Sequence, residues 1–251
     1  MQDAYLGFAE FYDRLMDDVD YDLWTAYLAR LMTAYMNFAP GLVLDSACGT
    51  GAISVRLAQR GYAVVGSDIS PDMLRVAQRN AMERGIRIPF VCQDMRALSA
   101  HRSADVVLAC CDGVNYLNSL EDVRRFFRSA FEALNPDGLL MFDISSAYKL
   151  EHVLGNNIFG EDRAACTYLW RNNYDPLGRL LEMQMTFFIP GEQGLYARFD
   201  ETHIQRAHSA GEINELLAGS GFEIVDVFEA FTTHPPQEHS ERIQWIARRR
   251  P

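Results

Sequence analysis

The stretch Leu42-Val43-Leu44-Asp45-Ser46-Ala47-Cys48-Gly49-Thr50-Gly51 decides the fold. A short apolar run enters a glycine-rich turn, and Ala52 to Arg60 then reads as a helix stopped by Gly61. The same alternation continues downstream. Tyr62 to Gly66 reads as a second strand, and Ser70 as an N-cap with Pro71 at the first helical position. Met73, Val76, Ala77, Asn80 and Ala81 follow at helical spacing. Ile88 to Cys92 and Asp105 to Cys110 read as the third and fourth strands. Ser119 starts a helix running to Leu134, with Asp122 supporting its first turn. Asn135-Pro136-Asp137-Gly138 reads as a turn into a fifth strand, Leu139 to Ile144. The strands are continuous apolar runs rather than alternating ones, which predicts a parallel sheet covered by helices on both faces.

Upstream, Leu23, Trp24, Tyr27, Leu28, Leu31, Met32 and Tyr35 recur at helical spacing and predict an amphipathic helix packed on that domain. Downstream, Cys166 to Tyr174, Leu180 to Ile189 and Leu195 to Gln205 read as long strands joined by short turns, an antiparallel meander. Residues 145–165 read either as a broken helix or as a loop. Ala210 to Leu217 reads as a helix, and Phe222 to Phe228 and Arg242 to Ala247 as two strands able to complete the main sheet. The expected organisation is a core over 1–144 with an N-terminal helical cap, an antiparallel insertion over 145–208, and a last helix and two strands over 209–251.

The chain has 251 residues, long enough to bury a core without disulfide or metal staples. Hydrophobic residues make up 49% and charged residues 23%, which excludes a disordered chain. The formal net charge of −11 disfavours nucleic acid as a partner, because non-specific binding needs a basic stripe. No apolar run is long enough to span a membrane, and Met1-Gln2-Asp3-Ala4 opens no secretory leader. Cys48, Cys92, Cys110, Cys111 and Cys166 form no C-x-x-C pair, so no metal site is expected and reduced thiols fit a cytoplasmic protein.

In a doubly wound sheet, ligands sit at the carboxyl ends of the strands. Gly49 and Gly51 let backbone approach a ligand, and Asp68, ending the second strand, can accept hydrogen bonds from ribose hydroxyls. The dinucleotide fingerprint G-x-G-x-x-G is incomplete, because its third glycine is missing. Asp45 precedes the glycines, where a carboxylate would repel a pyrophosphate but could face an ammonium. That favours a cationic, phosphate-free nucleoside, S-adenosylmethionine.

These residues resemble the class I S-adenosylmethionine-dependent methyltransferases over about residues 42–144. Asp45 to Gly51, with Ala47 inside it, is similar to the family's first motif, and Asp68-Ile69-Ser70-Pro71-Asp72-Met73 to its second. The resemblance implies Asp68 on the ribose with Ile69 and Met73 beside the adenine. Gln93-Asp94-Met95 resembles the third-strand motif, which implies that Asp94 accepts from the adenine amino group and the Met95 amide donates to the ring. Cys110-Cys111-Asp112 sits where the fourth strand would end beside the methionine moiety, and Asn135 to Leu140 resembles the turn into strand five. Phe11-Tyr12-Asp13, Asn115-Tyr116-Leu117 and Phe199-Asp200-Glu201-Thr202-His203 extend the likeness to a bacterial subgroup that includes amino-sugar N-methyltransferases and glycine N-methyltransferase-like enzymes. That implies a Rossmann-like doubly wound seven-stranded α/β sheet with N-terminal helices and an inserted antiparallel β lid. It also implies that Tyr12 contacts the cofactor.

Asp112, Tyr116 and His203 are the candidates for proton handling or acceptor positioning. Vicinal Cys110 and Cys111 lack the preceding Pro of cytosine C5 chemistry and read as small residues at a crowded strand end. The expected activity is methyl transfer to an N or O nucleophile of a small molecule. The alternatives are an RNA-modifying methyltransferase using the patches Arg248-Arg249-Arg250 and Arg124-Arg125-Arg128, or a non-catalytic S-adenosylmethionine-binding module. Seven acids in the first 40 residues (Asp3, Glu10, Asp13, Asp17, Asp18, Asp20, Asp22) would favour a neutral or cationic acceptor if they face the site.

Overall fold

The computed structural model describes residues 19–99, 101–164 and 166–250, with Ala9, Tyr12 and Asp13 of the N-terminal segment. Helix α1 (Tyr21–Tyr35) leads into β1 (Val43–Ser46), α2 (Ala52–Gln59), β2 (Val64–Asp68), α3 (Pro71–Glu83) and β3 (Phe90–Cys92). Then come β4 (Ala104–Ala109), α4 (Leu120–Ala133) and β5 (Leu134–Ser145). The strands β6 (Ile158–Arg163), β7 (Cys166–Asp175), β8 (Leu180–Pro190) and β9 (Tyr196–Arg206) follow, before α5 (Ala210–Gly219), β10 (Phe222–Glu229) and β11 (Arg242–Arg249).

The seven-stranded sheet has the order β10-β11-β5-β4-β1-β2-β3. Strands β3, β2, β1, β4 and β5 are parallel; β11 pairs antiparallel with β5, and β10, antiparallel to β11, closes that edge in the direction of the parallel strands. The Ser70 cap predicted from sequence is present, its hydroxyl accepting from Met73 N, and Ser119, where a helix was expected to start, is also an N-cap, accepting from Asp122 N. Helices α4 and α5 bury Phe126, Phe127, Ile213 and Leu217 on one face of the sheet. Helix α1 buries Trp24, Tyr27, Leu28, Leu31 and Met32 on the other. Leu23 departs from the predicted apolar face and is 50% exposed, because the buried stripe runs through Trp24, Leu28 and Leu31 and Leu23 projects about 100° away from Trp24.

Asn135 to Gly138 is not a separate turn. It lies within β5 as a bulge, where β4 pairs Ala104 with Leu134 and Val106 with Leu139. Asp137 takes φ +63 there, and Asn135 Nδ2 donates to Asp105 Oδ1 at 2.7 Å.

Between β5 and α5 lies a second, antiparallel sheet, β6-β7-β8-β9. Its first strand falls in the stretch that the sequence left open. Residues Lys149–Leu154 form a short wide helical turn, and Ile158–Arg163 then pairs with β7. Five of the six residues of β6 are exposed on both faces, so no apolar alternation announces the strand; its partner alone defines it.

Candidate functional site

The strands β1, β2 and β4 end at one cavity of about 440 Å³, a volume ordinary for a small-molecule site. At the end of β1 the chain turns sharply. Ala47 (φ 59), Gly49 (φ 54) and Gly51 (φ 75) are all left-handed, and Gly51 N donates to Cys48 O at 2.9 Å. The two glycines do different work. A Cβ at Gly49 would meet no atom within 4 Å, so this backbone faces open cavity. Gly51 does not line the cavity; a Cβ there would come within 3.0 Å of Ala77 Cβ and 3.2 Å of the Phe90 ring. Gly51 thus serves the approach of α2 to α3 and β3. Gly51→Ala is expected to destabilise the protein by about 1–2 kcal/mol, from left-handed strain plus this overlap, read as a lowered Tm.

Asp45 is 2% exposed and accepts from the Ser54 hydroxyl. Burial, with the Asp68 charge adding, pushes its carboxyl up to about 7. Asp68 closes β2 and accepts from Gly49 N at 2.9 Å and Ser70 N at 2.8 Å. One carboxylate therefore ties the glycine turn to the start of α3 while lining the cavity. Ile69, 65% exposed, and Met73 flank it on the open side.

After β3, Asp94 lines the cavity and caps a short turn, accepting from Arg96 N at 2.8 Å. The Arg96 guanidinium binds Asp94 at 2.6 Å and Asp122 at 2.7 Å, which holds the Asp94 carboxyl below its usual range. Met95, the next residue, also lines the cavity.

At the end of β4, Cys111 (φ 57) and Asp112 (φ 55) are consecutive left-handed residues. Fully buried Asp143 on β5 holds this turn, accepting from Cys111 N at 2.7 Å and Asp112 N at 3.0 Å. Arg242 at the start of β11 pairs with both Asp143 and Asp112, and its guanidinium lies 5.6 Å from the Trp24 ring centroid. Cys110 and Cys111 line the cavity, but burial raises both thiols well above the ordinary range, so neither is a ready thiolate. Asp112 does not line the cavity. Its carboxylate is held by Arg242 at 2.9 Å and by Gln205 Nε2 at 2.7 Å, which joins the two sheets.

Tyr116 and His203 meet on the cavity wall, with Tyr116 Oη 3.4 Å from His203 Nδ1 and the rings edge-on at 5.8 Å. Burial lowers the His203 pKa, favouring the neutral ring. The adjacent Asn115 is fully buried. Its side-chain amide donates to Ser145 O and Arg206 O at 3.0 Å and accepts from Ser145 N at 2.9 Å, fixing β9 to the core. Tyr12 lines the cavity from the N-terminal side and packs with Met73, Phe187 and Phe199. The neighbouring Asp13 accepts from the Thr50 hydroxyl and, at 2.8 Å, from Asn80.

Sequence reasoning missed Asp143 and Arg242, although an acid inside the apolar run Leu139 to Ile144 was a legible signal. It also missed Tyr21, which lines the cavity from the first turn of α1. The acid-rich N-terminus does not present free carboxylates where it is described: Asp13 binds Thr50, Asp20 caps α1, and Asp22 pairs with Arg56 at 2.9 Å. Asp3, Glu10, Asp17 and Asp18, together with Phe11, lie outside the described residues.

The methyltransferase domain family matches residues 43–138. A relative in Geobacillus sp. (strain WCH70), which bears a provisional methyltransferase name, is 36% identical over 246 residues, covering 98% of this chain and 100% of its own. The crystal structure of an S-adenosylmethionine-dependent methyltransferase from Clostridium acetobutylicum ATCC 824 is similar at 31% identity with a TM-score of 0.89, covering 98% of this chain and 99% of that one. The sugar N-methyltransferase KedS8 from Streptoalloteichus sp ATCC 53650 shares the fold at 19% identity, with a TM-score of 0.79 over 96% of this chain and 92% of that one.

Proposed function

The chain belongs to the class I S-adenosylmethionine-dependent methyltransferases, and on that premise we propose that it methylates a nitrogen or oxygen of a small molecule. One observation carries the choice of a small acceptor: the second sheet packs over the cavity. Phe187 and Phe199 cluster with Tyr12 and Met73, His203 meets Tyr116, and Gln205 reaches Asp112. A roof so close favours an acceptor that enters whole over one presented by a folded macromolecule. The sugar N-methyltransferase KedS8, which shares the fold, is consistent with this reading.

The cavity residues suit a phosphate-free cationic nucleoside. The Gly49 face is open, Asp45 and Asp68 supply carboxylates, and the one guanidinium on the lining among the described residues, that of Arg96, is engaged by Asp94 and Asp122. S-adenosylmethionine, when bound, supplies a methyl group on a positively charged sulfur. Asp45 attracts the ammonium of its amino-acid part, with Ala47, Gly49 and Cys111 forming the adjoining wall. Asp68 accepts from the ribose hydroxyls using oxygens already oriented by Gly49 N and Ser70 N. Ile69, Met73 and Met95 enclose the adenine, and Asp94 shares its oxygens between Arg96 and the adenine amino group. Tyr12 covers the site and excludes water. In the tautomer whose Nδ1–H donates to Tyr116 Oη, neutral His203 offers Nε2 to the proton of the acceptor, while Asp112 holds the two sheets in register rather than touching substrate.

Four of the six arginines in the patches that would serve an RNA acceptor are engaged locally. Arg124 and Arg125 pair with Glu121 and Asp122, Arg248 donates to Tyr35 O at 2.7 Å, and Arg249 lies 4.5 Å from the Phe131 ring centroid. The test has two arms. Calorimetry should show S-adenosylmethionine and its demethylated product binding at micromolar levels with no response to NADH. Labelled methyl groups should enter the small-molecule fraction of a cell extract; label confined to tRNA or protein would overturn the reading.

A further inference from the structure

We propose that Glu201 is the acceptor-selecting residue and that the group it selects is an amine; this rests on the small-molecule reading above. Alternation along β9 puts Phe199, Glu201, His203 and Gln205 on one face of the second sheet. Three of the four dock on the core side. Phe199 clusters with the cavity-lining Tyr12 and Met73, His203 lines the cavity beside Tyr116, and Gln205 donates to Asp112. Glu201 lies between Phe199 and His203 on that face, just outside the cavity lining, of which His203 is the nearest member on β9.

The row across the sheet is otherwise apolar. Glu201 pairs with Met185, Met185 with Trp170, and Trp170 with Phe159. The Trp170 and Phe159 rings lie 5.4 Å apart, which gives a wall about 10 Å from the carboxylate at roughly 4.8 Å per strand. Glu201 is half-buried, and burial raises its pKa. Its carboxylate has no hydrogen-bond or ion-pair partner among the described residues, whereas Asp13, Asp68, Asp94, Asp112 and Asp143 around the site are all engaged. A carboxylate withdrawn from water without a donor is costly, and a ligand that brings the donor removes that cost.

Among acceptors, an amine fits this row best. It donates to Glu201 with charge assistance when protonated, its apolar body lies on Met185 and Trp170, and His203, one step along the same face, can take its proton. An anionic acceptor would be repelled. Glu201 is thus a binding group, distinct from the residues that hold the cofactor.

The experiment uses the full chain with saturating S-adenosylmethionine and follows release of the demethylated cofactor. The probes are matched pairs: ethanolamine and ethylene glycol, benzylamine and benzyl alcohol, glucosamine and glucose. Turnover should favour an amine over its hydroxyl counterpart by at least about 10-fold in kcat/KM. Glu201→Gln should raise KM for the accepted amine by about 10–100-fold, as expected for loss of a charged hydrogen bond, with kcat within about threefold. The Kd for S-adenosylmethionine should not change, which also verifies folding, and Glu201→Asp should recover part of the loss. Equal use of an amine and its hydroxyl counterpart, an unchanged KM in Glu201→Gln, or turnover of none of the amines would each overturn the proposal. These failures differ from failure of the small-molecule reading, which shows as extract label in tRNA or protein whatever the probes do.

Discussion

Asp68→Ala is expected to weaken S-adenosylmethionine binding by about 100–1,000-fold while leaving the chain folded. The carboxylate has two duties. It orients the glycine turn and the start of α3 through Gly49 N and Ser70 N, and it offers its remaining lone pairs to the ribose. Hydrogen bonds to a charged group contribute about 1.5–3 kcal/mol each, so two lost ribose contacts taken near the low end amount to roughly 3–4 kcal/mol. Both amides lie beside the cavity, so water can replace their lost acceptor and the stability cost is small. Calorimetry gives the affinity, and the melting temperature without cofactor gives the fold. A loss below about threefold in affinity would remove Asp68 from the cofactor site. Asp68→Asn should fall between, because one acceptor oxygen survives but its charge does not.

Asp45→Asn is expected to produce opposite effects on binding and stability. Burial raises the Asp45 carboxyl to about 7 in the folded protein, against about 4 for an exposed aspartate. Between those values the folded state holds a proton that the unfolded state has released. Stability therefore falls as pH rises through that window, and the full penalty stands above pH 7. At about 1.4 kcal/mol per pH unit it reaches about 4 kcal/mol. Asparagine removes the titration and can still accept from the Ser54 hydroxyl. Without cofactor, the variant should resist urea more than the parent at pH 8 by up to about 4 kcal/mol, and by less than half of that at pH 5. Its affinity for S-adenosylmethionine should fall at least 10-fold, because the buried charge that meets the ammonium is gone. An equal urea midpoint at both pH values would show that Asp45 ionises freely. Both results together would show a stability–function trade-off: a carboxylate costly to the empty protein and used by its ligand.

Legibility varied along the chain with how local the controlling interaction was. The run Leu42 to Gly51, the Ser70-Pro71 cap and the helix start at Ser119 were readable, because strand, turn and cap preferences act within a few residues. Strand β6 was not, because both its faces are exposed and only pairing with β7 makes it a strand. Gly49 and Gly51 look alike in sequence; the open space at one and the Ala77 and Phe90 contacts at the other separate them. Asp112 read as a candidate for chemistry because it follows β4, yet its carboxylate is consumed by Arg242 and Gln205, which lie 130 and 93 positions away in the chain.

The sequence by itself determined the alternation that makes the parallel sheet, the acid-then-glycine turn at its switch point, and the family to which those belong. Hydrophobic period, capping and turn chemistry are properties of neighbours in the chain, and they survive being read as a string. Only the tertiary structure decided which carboxylates remain free. Pairing depends on what β5, β9 and β11 bring alongside, so Asp112 and Asp143 became anchors under Arg242 while Glu201, two residues from the cavity-lining His203, has no partner among the described residues. Charge composition counts all three alike; burial and proximity distinguish the acids that hold the fold from the one proposed to meet an acceptor.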